Sequence, residues 1–197
     1  MDFGLIIIAY LFGSVSTAVI VAKLMHLEDP RTVGSKNPGA TNVLRVGGKK
    51  AAAFTLAGDC VKGLIPVLIG LALGVSEEIL AAIGLAAFLG HLYPVFFGFK
   101  GGKGVATAAG VLLAISWPVG LSVFLVWLLV VALTKISAVS ALIAALFSPM
   151  LMWYITGSNA LITMNIVIAV LLVWRHRNNI KNLVERSKGE KRPNNSG

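Results

Sequence analysis

The sequence has little charge and little cysteine for its length, and these shortages exclude most classes of soluble protein. Of its 197 residues, 13% are charged and 57% are hydrophobic, whereas a soluble domain has about 25% charged residues. The mean hydropathy is correspondingly high, at +0.86. A folded domain of this size still exposes roughly a third of its unfolded surface, so it cannot hide such an apolar excess from water. We therefore predict an integral membrane protein with one membrane-embedded domain over residues 1–197.

Acidic residues and cysteines are too few for several kinds of catalytic site. There are 8 Asp and Glu residues against 17 Lys and Arg, and Cys60 is the only cysteine. Magnesium sites need clustered carboxylates and zinc sites need sets of His and Cys. The sequence shows neither, nor a serine placed for a Ser-His-Asp triad. We therefore expect no metal site, and nothing in the sequence indicates a cofactor, a nucleic-acid partner or an obligate protein partner.

Long uncharged segments predict the membrane spans, because about 20 apolar residues cross a ~30 Å hydrocarbon layer. These segments are Phe3–Ala22, a stretch from about Ala51 or Phe54 to Val75 whose only charges are Asp59 and Lys62 near its start, Ile79–Phe99, Gly104–Thr134 and Ile136–Trp174. The last two are too long for one span, and turn residues divide them at 117–120 and at 157–159. The result is an all-α protein with seven transmembrane helices, some short, and a disordered tail over residues 187–197.

The distribution of charge predicts the orientation of these spans. With seven spans, all 17 Lys and Arg residues lie on one side of the membrane. The opposite side keeps only Asp2, Glu77 and Glu78. Because basic residues concentrate on the cytoplasmic side, we expect the amino terminus outside and the carboxyl terminus in the cytoplasm.

Two segments on the basic side combine glycine with hydrogen-bond donors. The first, Gly34–Arg45, carries glycines, hydroxyls, amides and an arginine, which suits an anion; alternatively it is a solvated loop that only sets topology. The second, Phe99–Thr107, departs from the P-loop because Gly104 replaces the Ser or Thr and Phe97 the leading glycine. A nucleotide hydrolase is therefore disfavoured, although a helix starting near Val105 could still bind phosphate. The alternative is a pair of lysines at a helix end.

A third segment, Trp174–Asn179, places His176 and Asn179 three residues apart, on one face of a helix. The neighbouring arginines favour a neutral histidine, which can accept a proton; alternatively the histidine is incidental in a basic flank. Asp59 and Lys62 are spaced as an ion pair, more simply structural than catalytic. His91 is either functional or part of a contact between helices. Together the three segments indicate a site for phosphate-bearing ligands at the membrane boundary.

These residues resemble the bacterial acyl-phosphate:glycerol-3-phosphate acyltransferases over nearly the whole chain. The matching segments are Gly34–Arg45, Asp59–Gly63, Gly90–Pro94, Phe99–Thr107 and Arg175–Ile180. Lys36 departs from the pattern, since the family usually has glycine there. The resemblance implies transfer of a fatty acyl group from acyl phosphate to the 1-hydroxyl of sn-glycerol 3-phosphate, giving lysophosphatidic acid and phosphate. This reaction begins phospholipid synthesis at the cytoplasmic face of the bacterial inner membrane.

The resemblance also supports a hypothesis for the roles of individual residues. Glycerol 3-phosphate is expected to bind Ser35, Arg45, Lys103, His176 and Asn179. Acyl phosphate is expected to bind Thr41, Asn42, Ser140 and the N–H groups of Gly101 and Gly102. The catalytic residues are then Lys103, His176, Arg45 and Asn179, and the base is either His176 or a phosphate oxygen of the substrate. A transporter for a phosphorylated solute is the alternative, although the sequence has no repeat of the kind that builds a midplane transport site.

Overall fold

The computed structural model describes residues 2–187, and its regular structure is entirely helical over that range. The helices are α1 (Asp2–Gly13), α2 (Thr17–Leu24), α3 (Ala40–Ala72), α4 (Glu77–Leu92), a 3₁₀ turn (Val95–Phe97), α5 (Val105–Ile115), α6 (Trp117–Thr134), α7 (Ser137–Thr156), α8 (Asn159–Arg175) and α9 (Arg177–Ser187). The prediction of an all-helical protein is therefore confirmed for these residues. The tail predicted to be disordered lies, apart from Ser187, outside the described residues.

The number of membrane spans depends on how bent and short helices are counted. Four segments within residues 2–187 are long and apolar enough to span alone: Ala40–Ala72, Glu77–Phe97, Trp117–Thr134 and Ser137–Thr156. The α1–α2 pair bends by 41° and the α8–α9 pair by 49°; counting each as one span raises the number to 6. Helix α5 is apolar but short. By length and composition the structure thus supports four to six spans, against the seven predicted.

The predicted breaks in the apolar segments are present, with one shift in position. Gly157 ends α7 with a positive φ of 65°, and the side chain of Ser158 caps α8, as the turn at 157–159 predicts. The other break lies at Ser116 rather than across 117–120. Pro118 belongs to the first turn of α6, where a proline is tolerated because that turn leaves its N–H groups unbonded.

Helix α3 begins well before the predicted second span. The segment up to Lys50 was expected to be a loop, yet the helix starts at Ala40 and continues through a kink at Gly48 (φ 79°). Val43, in this early part, is buried with Val21 of α2. Hydropathy marks where a helix enters hydrocarbon, not where it starts. Ala51 or Phe54, the predicted start of the span, is therefore not the start of the helix.

Glycines bring pairs of helix backbones into close contact. A Cβ at Gly13 of α1 would collide with the carbonyl group of Ala87 in α4. A Cβ at Gly63 of α3 would collide with the carbonyl oxygen of Thr107 in α5. Because helices in lipid associate by close packing rather than by a hydrophobic force, such contacts stabilise the bundle. They also place the loop before α3 beside the loop before α5.

Candidate active site

Asn42 organises the loop between α2 and α3. Its side chain is buried, and its carbonyl oxygen accepts a hydrogen bond of 2.8 Å from the N–H group of Ser35. Its amide donates to the carbonyl groups of Pro30 at 2.9 Å and Val33 at 3.1 Å. A Cβ at Gly34, whose φ is +61°, would collide with the Asn42 carbonyl oxygen. Asn42 thus gives its hydrogen bonds to the loop itself and holds the segment that carries Ser35.

Three other predicted side chains on this side of the site are available to a ligand. Ser35, Thr41 and Arg45 are exposed, in the loop or the first turns of α3. None of these side chains donates a hydrogen bond to another group within residues 2–187. Gly39 precedes the first turn of α3 and has no side chain to cap it. The start of the helix, whose dipole favours anions, is therefore open next to Thr41.

Lys36 has a left-handed backbone conformation, with φ of +56°. A side chain in that region costs about 1–2 kcal/mol, and glycine does not incur this cost. We expect Lys36→Gly to raise the unfolding midpoint of the purified protein by about 2–4 °C. The matched control is Lys50→Gly in α3, which should lower it because glycine weakens a helix. A lower midpoint for Lys36→Gly would contradict the expectation.

The glycine loop, residues 98–104, packs directly on the end of α4. A Cβ at Gly101 would collide with the carbonyl oxygen of His91, and one at Gly102 with its Nε2 atom. A Cβ at Gly104 would meet the ring of Phe88, and its φ is +88°. The N–H group of Gly102 donates to the carbonyl oxygen of His91 at 3.2 Å. Glycine is therefore needed at each position, and the Gly102 amide is hydrogen-bonded within the protein.

Other amides of the glycine loop are free. Within residues 2–187, the N–H groups of Gly101, Lys103 and Gly104 donate to no protein acceptor. Helix α5 begins at Val105, as predicted, and its first backbone bond runs from Ala108 to Gly104 at 2.8 Å. The N–H groups of its first turn are consequently unbonded and add the positive end of the helix dipole. These donors can hold a phosphate group.

Arg175 binds the carbonyl groups of the glycine loop. Its guanidinium donates to the carbonyl oxygen of Gly101 at 2.7 Å and to that of Gly102 at 2.8 and 3.0 Å. It also lies 5.8 Å from the ring centroid of Tyr93. Sequence reasoning used Arg175 only as a neighbouring charge of His176 and missed this contact. The available signal was an arginine at a helix end, in the same predicted site as glycines, whose backbone carbonyl groups no side chain covers.

Lys103 and Asn179 meet although they are far apart in sequence. The ammonium group of Lys103 donates to the side-chain oxygen of Asn179 at 2.5 Å. Partial burial lowers the pKa of Lys103, and the charges of Arg45 and Arg175 lower it further. Within residues 2–187, no carboxylate forms a salt bridge with Lys103. An anion is therefore the natural partner for this group of cations.

His176 is buried and neutral at physiological pH. Burial lowers its pKa to about 4, and the charges of Lys103 and Arg175 act in the same direction. Its Nδ1 lies 2.8 Å from the carbonyl oxygen of Leu172. Since a carbonyl only accepts, Nδ1 carries the proton and Nε2 keeps its lone pair. The expectation that His176 and Asn179 lie on one helix was wrong: His176 occupies the bend between α8 and α9, and Asn179 lies on α9.

Ser140 forms no hydrogen bond with Lys103, Asn179 or His176 in the structure of residues 2–187. It is buried in the first turn of α7, and its hydroxyl donates to the carbonyl oxygen of Ile136 at 3.0 Å. Lone serines in membrane helices commonly bond their own helix in this way. The structure therefore brings Asn179, Arg45 and His176 near Lys103 and leaves Ser140 bonded within α7.

Asp59 and Lys62 form the buried ion pair that their spacing predicts. The Lys62 ammonium lies 2.9 Å from Asp59 Oδ1 and also donates to the carbonyl oxygen of Val15 at 2.8 Å. His91 Nδ1 lies 3.6 Å from the same carboxylate oxygen. All three side chains are at most 5% exposed. His91 connects this cluster to the glycine loop, because its ring and its carbonyl oxygen lie against Gly102 and Gly101.

Comparison with known proteins decides the family. A family model described as glycerol-3-phosphate acyltransferase matches residues 3–186. The chain belongs to this family. Among similar acyltransferases, the protein of Methylococcus capsulatus is 58% identical over 94% of this chain and 93% of its own length. That of Thioalkalivibrio sulfidiphilus is 54% identical over 92% of this chain and 89% of its own length.

Solved structures of an acyltransferase of this family share the fold. The glycerol 3-phosphate form of PlsY (YgiH), an integral membrane glycerol 3-phosphate acyltransferase, is 42% identical, with a TM-score of 0.89 over 96% of this chain and 94% of that one. Its lysophosphatidic acid form is 41% identical, with a TM-score of 0.86 over 96% and 93%. This acyltransferase therefore has the fold of an integral membrane protein.

Proposed function

We propose that the protein transfers a fatty acyl group from acyl phosphate to the 1-hydroxyl of sn-glycerol 3-phosphate, producing lysophosphatidic acid and phosphate. The observation that carries the proposal is Lys103, which contacts Asn179 and lies near Arg45 and Arg175 without a carboxylate partner among the described residues. Such a cluster suits two phosphate-bearing substrates that react together. The product is the precursor of phospholipids, so the reaction begins their synthesis.

We also propose seven crossings, with α5 counted as a short one. On this count the amino terminus lies outside and the carboxyl terminus in the cytoplasm. The support is the charge distribution, because this topology keeps all 17 Lys and Arg residues on one side. The site then faces the cytoplasm at the inner membrane of a bacterium, where the acyl chain stays among the helices while both head groups meet the polar loops.

Glycerol 3-phosphate is held, on this proposal, by side chains from three parts of the chain. Ser35 and Arg45 come from the segment before and within α3, Lys103 from the glycine loop, and His176 and Asn179 from the bend between α8 and α9. Arginine offers a planar fork to the phosphate, and lysine offers a point charge. The hydroxyl to be acylated is then directed toward the neutral His176.

Acyl phosphate is held by Thr41 and by the free amides of Gly101, Lys103 and Gly104 at the start of α5. Asn42 and Gly102 contribute by shaping the two loops, since their own polar groups are bonded within the protein. Ser140 stays a proposed donor that must release its bond to Ile136 before it contacts phosphate. This assignment changes the role of Asn42 and Gly102 from direct contact to loop positioning.

The reaction needs one nucleophilic substitution. The 1-hydroxyl oxygen forms a bond to the acyl carbon, the bond between that carbon and the phosphate oxygen breaks, and phosphate leaves with the electron pair. The hydroxyl proton passes to Nε2 of His176 and then to phosphate, or directly to a phosphate oxygen. Lys103 and Arg45 stabilise the negative charge on the departing phosphate. Because acyl phosphate is already activated, alignment of the substrates supplies much of the catalysis.

Phosphate release from purified protein in a lipid medium tests the reaction. We expect release from a long-chain acyl phosphate only when glycerol 3-phosphate is present, with lysophosphatidic acid formed in equal amount. Release without an acceptor indicates a hydrolase instead. No turnover by folded protein contradicts the proposal and directs attention to transport, measured as uptake of a phosphorylated solute into proteoliposomes.

The pKa of His176 predicts an unusual acid limit for the reaction. The ring accepts a proton only above its pKa, which burial lowers to about 4, whereas an ordinary histidine titrates near pH 6.5. We expect kcat/KM, which reports the protein free of substrate, to show no loss from titration of this ring between about pH 6 and 8 and to fall through it only as the pH approaches 4. Acid-treated samples returned to pH 7 control for denaturation. A fall centred near pH 6.5 that is absent from His176→Asn would contradict the assignment.

A further inference from the structure

The buried cluster of Asp59, Lys62 and His91 is not used in the reaction proposed above. Its side chains are 3%, 4% and 5% exposed, respectively, deep in the polar end of the bundle. Charged groups are expensive to bury, and a buried ion pair is replaced by apolar residues without loss of stability in several proteins. Stability alone therefore does not explain why the cluster is charged.

The contacts of the cluster connect the α1–α2 junction with the glycine loop. Lys62 binds the carbonyl oxygen of Val15, between α1 and α2, and Asp59 Oδ1 at 2.9 Å. The same Oδ1 lies 3.6 Å from Nδ1 of His91. The other ring nitrogen, Nε2, lies directly against Gly102.

His91 contacts the glycine loop through both its backbone and its ring. The backbone carbonyl accepts the N–H bond of Gly102 at 3.2 Å, and it lies where a Cβ at Gly101 would stand. The ring fills the space where a Cβ at Gly102 would stand. Arg175 binds the carbonyl groups of Gly101 and Gly102. His91 and Arg175 thus both hold the loop in place.

We propose that His91, oriented by Asp59, is a positioning residue that holds the glycine loop in the conformation that binds acyl phosphate. Lys62 neutralises the Asp59 carboxylate and ties the cluster to the connection between α1 and α2. With the ring in place, the loop keeps the amides of Gly101 and Gly104 free of protein acceptors within residues 2–187. The inference rests on the proposed function, because it assigns the loop to the acyl phosphate substrate.

Steady-state kinetics of His91→Leu tests this role. The leucine removes the contact with Asp59 and the flat ring beneath Gly102, so we expect the KM for acyl phosphate to rise at least tenfold. The KM for glycerol 3-phosphate should rise clearly less, since among its proposed contacts only Lys103 lies in the loop. His91→Asn keeps a donor toward Asp59 and should recover part of the loss.

The matched control is Asn165→Leu, which also replaces a fully buried polar side chain. Asn165 meets Ser148 at 3.1 Å between α7 and α8, away from the glycine loop. It should lower the unfolding midpoint without a selective effect on the KM for acyl phosphate. Should His91→Leu alter both KM values and kcat no differently from Asn165→Leu, the cluster is only structural and the proposal is overturned.

Amide hydrogen exchange keeps the test independent of turnover. The Gly102 amide should exchange at least tenfold faster in His91→Leu than in the parent protein. Its exchange rate in Asn165→Leu should equal that of the parent protein. If the variants differ in exchange as expected but the parent protein transfers no acyl group, the proposed function fails and the positioning role stands. If His91→Leu does not fold, Asp59→Asn should show the same changes in smaller size. Unchanged exchange and KM in a folded Asp59→Asn variant would overturn the proposal.

Discussion

Replacing Lys103 by methionine should lower kcat/KM for acyl transfer by about a thousandfold, the effect of removing a principal electrostatic donor from an active site. Methionine keeps the length of the side chain but removes its charge. The ammonium group of Lys103 contacts Asn179 at 2.5 Å and has no carboxylate partner within residues 2–187. Its charge is therefore available to glycerol 3-phosphate and to the phosphate that departs.

Lys103→Arg separates charge from geometry. The guanidinium keeps the charge, but it is larger and planar, and Lys103 lies half-buried between Arg45 and Arg175. We expect arginine to recover about a tenth of the parental kcat/KM, because a point charge and a planar fork are not interchangeable at a packed site. Full recovery would mean that only net charge matters here.

Lys100→Met is the matched control for both variants. Lys100 belongs to the same glycine loop but is exposed. Its replacement should change kcat/KM by less than threefold. If Lys103→Met and Lys100→Met lost the same modest amount, the loop lysines would act together on substrate attraction, and the assignment of Lys103 to the reacting phosphates would be wrong.

Hydropathy and charge predicted the helical membrane fold but not the ends of its helices. Each of α1 to α8 lies mostly within one of the predicted apolar segments, in the expected order, because a helix face in contact with lipid requires a long run of apolar residues. The start of α3 at Ala40 was missed because this first part of the helix is polar and lies beyond the apolar run. The span number is likewise sensitive to α5, whose length is below that of an ordinary crossing.

The residue types of the site were predictable, whereas the state of each polar group was not. Glycines, amides and cations in short segments indicated a phosphate-binding site. Two of the predicted residues, Lys103 and Asn179, are in contact in the structure. The sequence does not reveal that the Gly102 amide is bonded to His91, or that Arg175 holds the glycine carbonyls. These details depend on which way each peptide group points after α4, α5 and α8 have packed together.

His176→Ala should lower kcat at least a hundredfold while the KM for glycerol 3-phosphate changes only a few fold. The reason is the state of the ring: Nδ1 donates to the carbonyl oxygen of Leu172 at 2.8 Å, and Nε2 is left with a lone pair. A positioned base of this kind contributes about 10²–10⁴-fold to a rate. Burial, assisted by the nearby cations, lowers the pKa of the ring and keeps it neutral at pH 7, so it can accept a proton.

The measurement is kcat at saturating concentrations of both substrates, with His26→Asn as the control. His26 is exposed and has a φ of 54°, a conformation that asparagine tolerates, so the control should fold and react normally. Near-normal kcat for His176→Ala would remove the histidine as base. The hydroxyl proton would then pass directly to a phosphate oxygen, and the protein would act only by placing two phosphate-bearing substrates together among Arg45, Lys103 and Asn179.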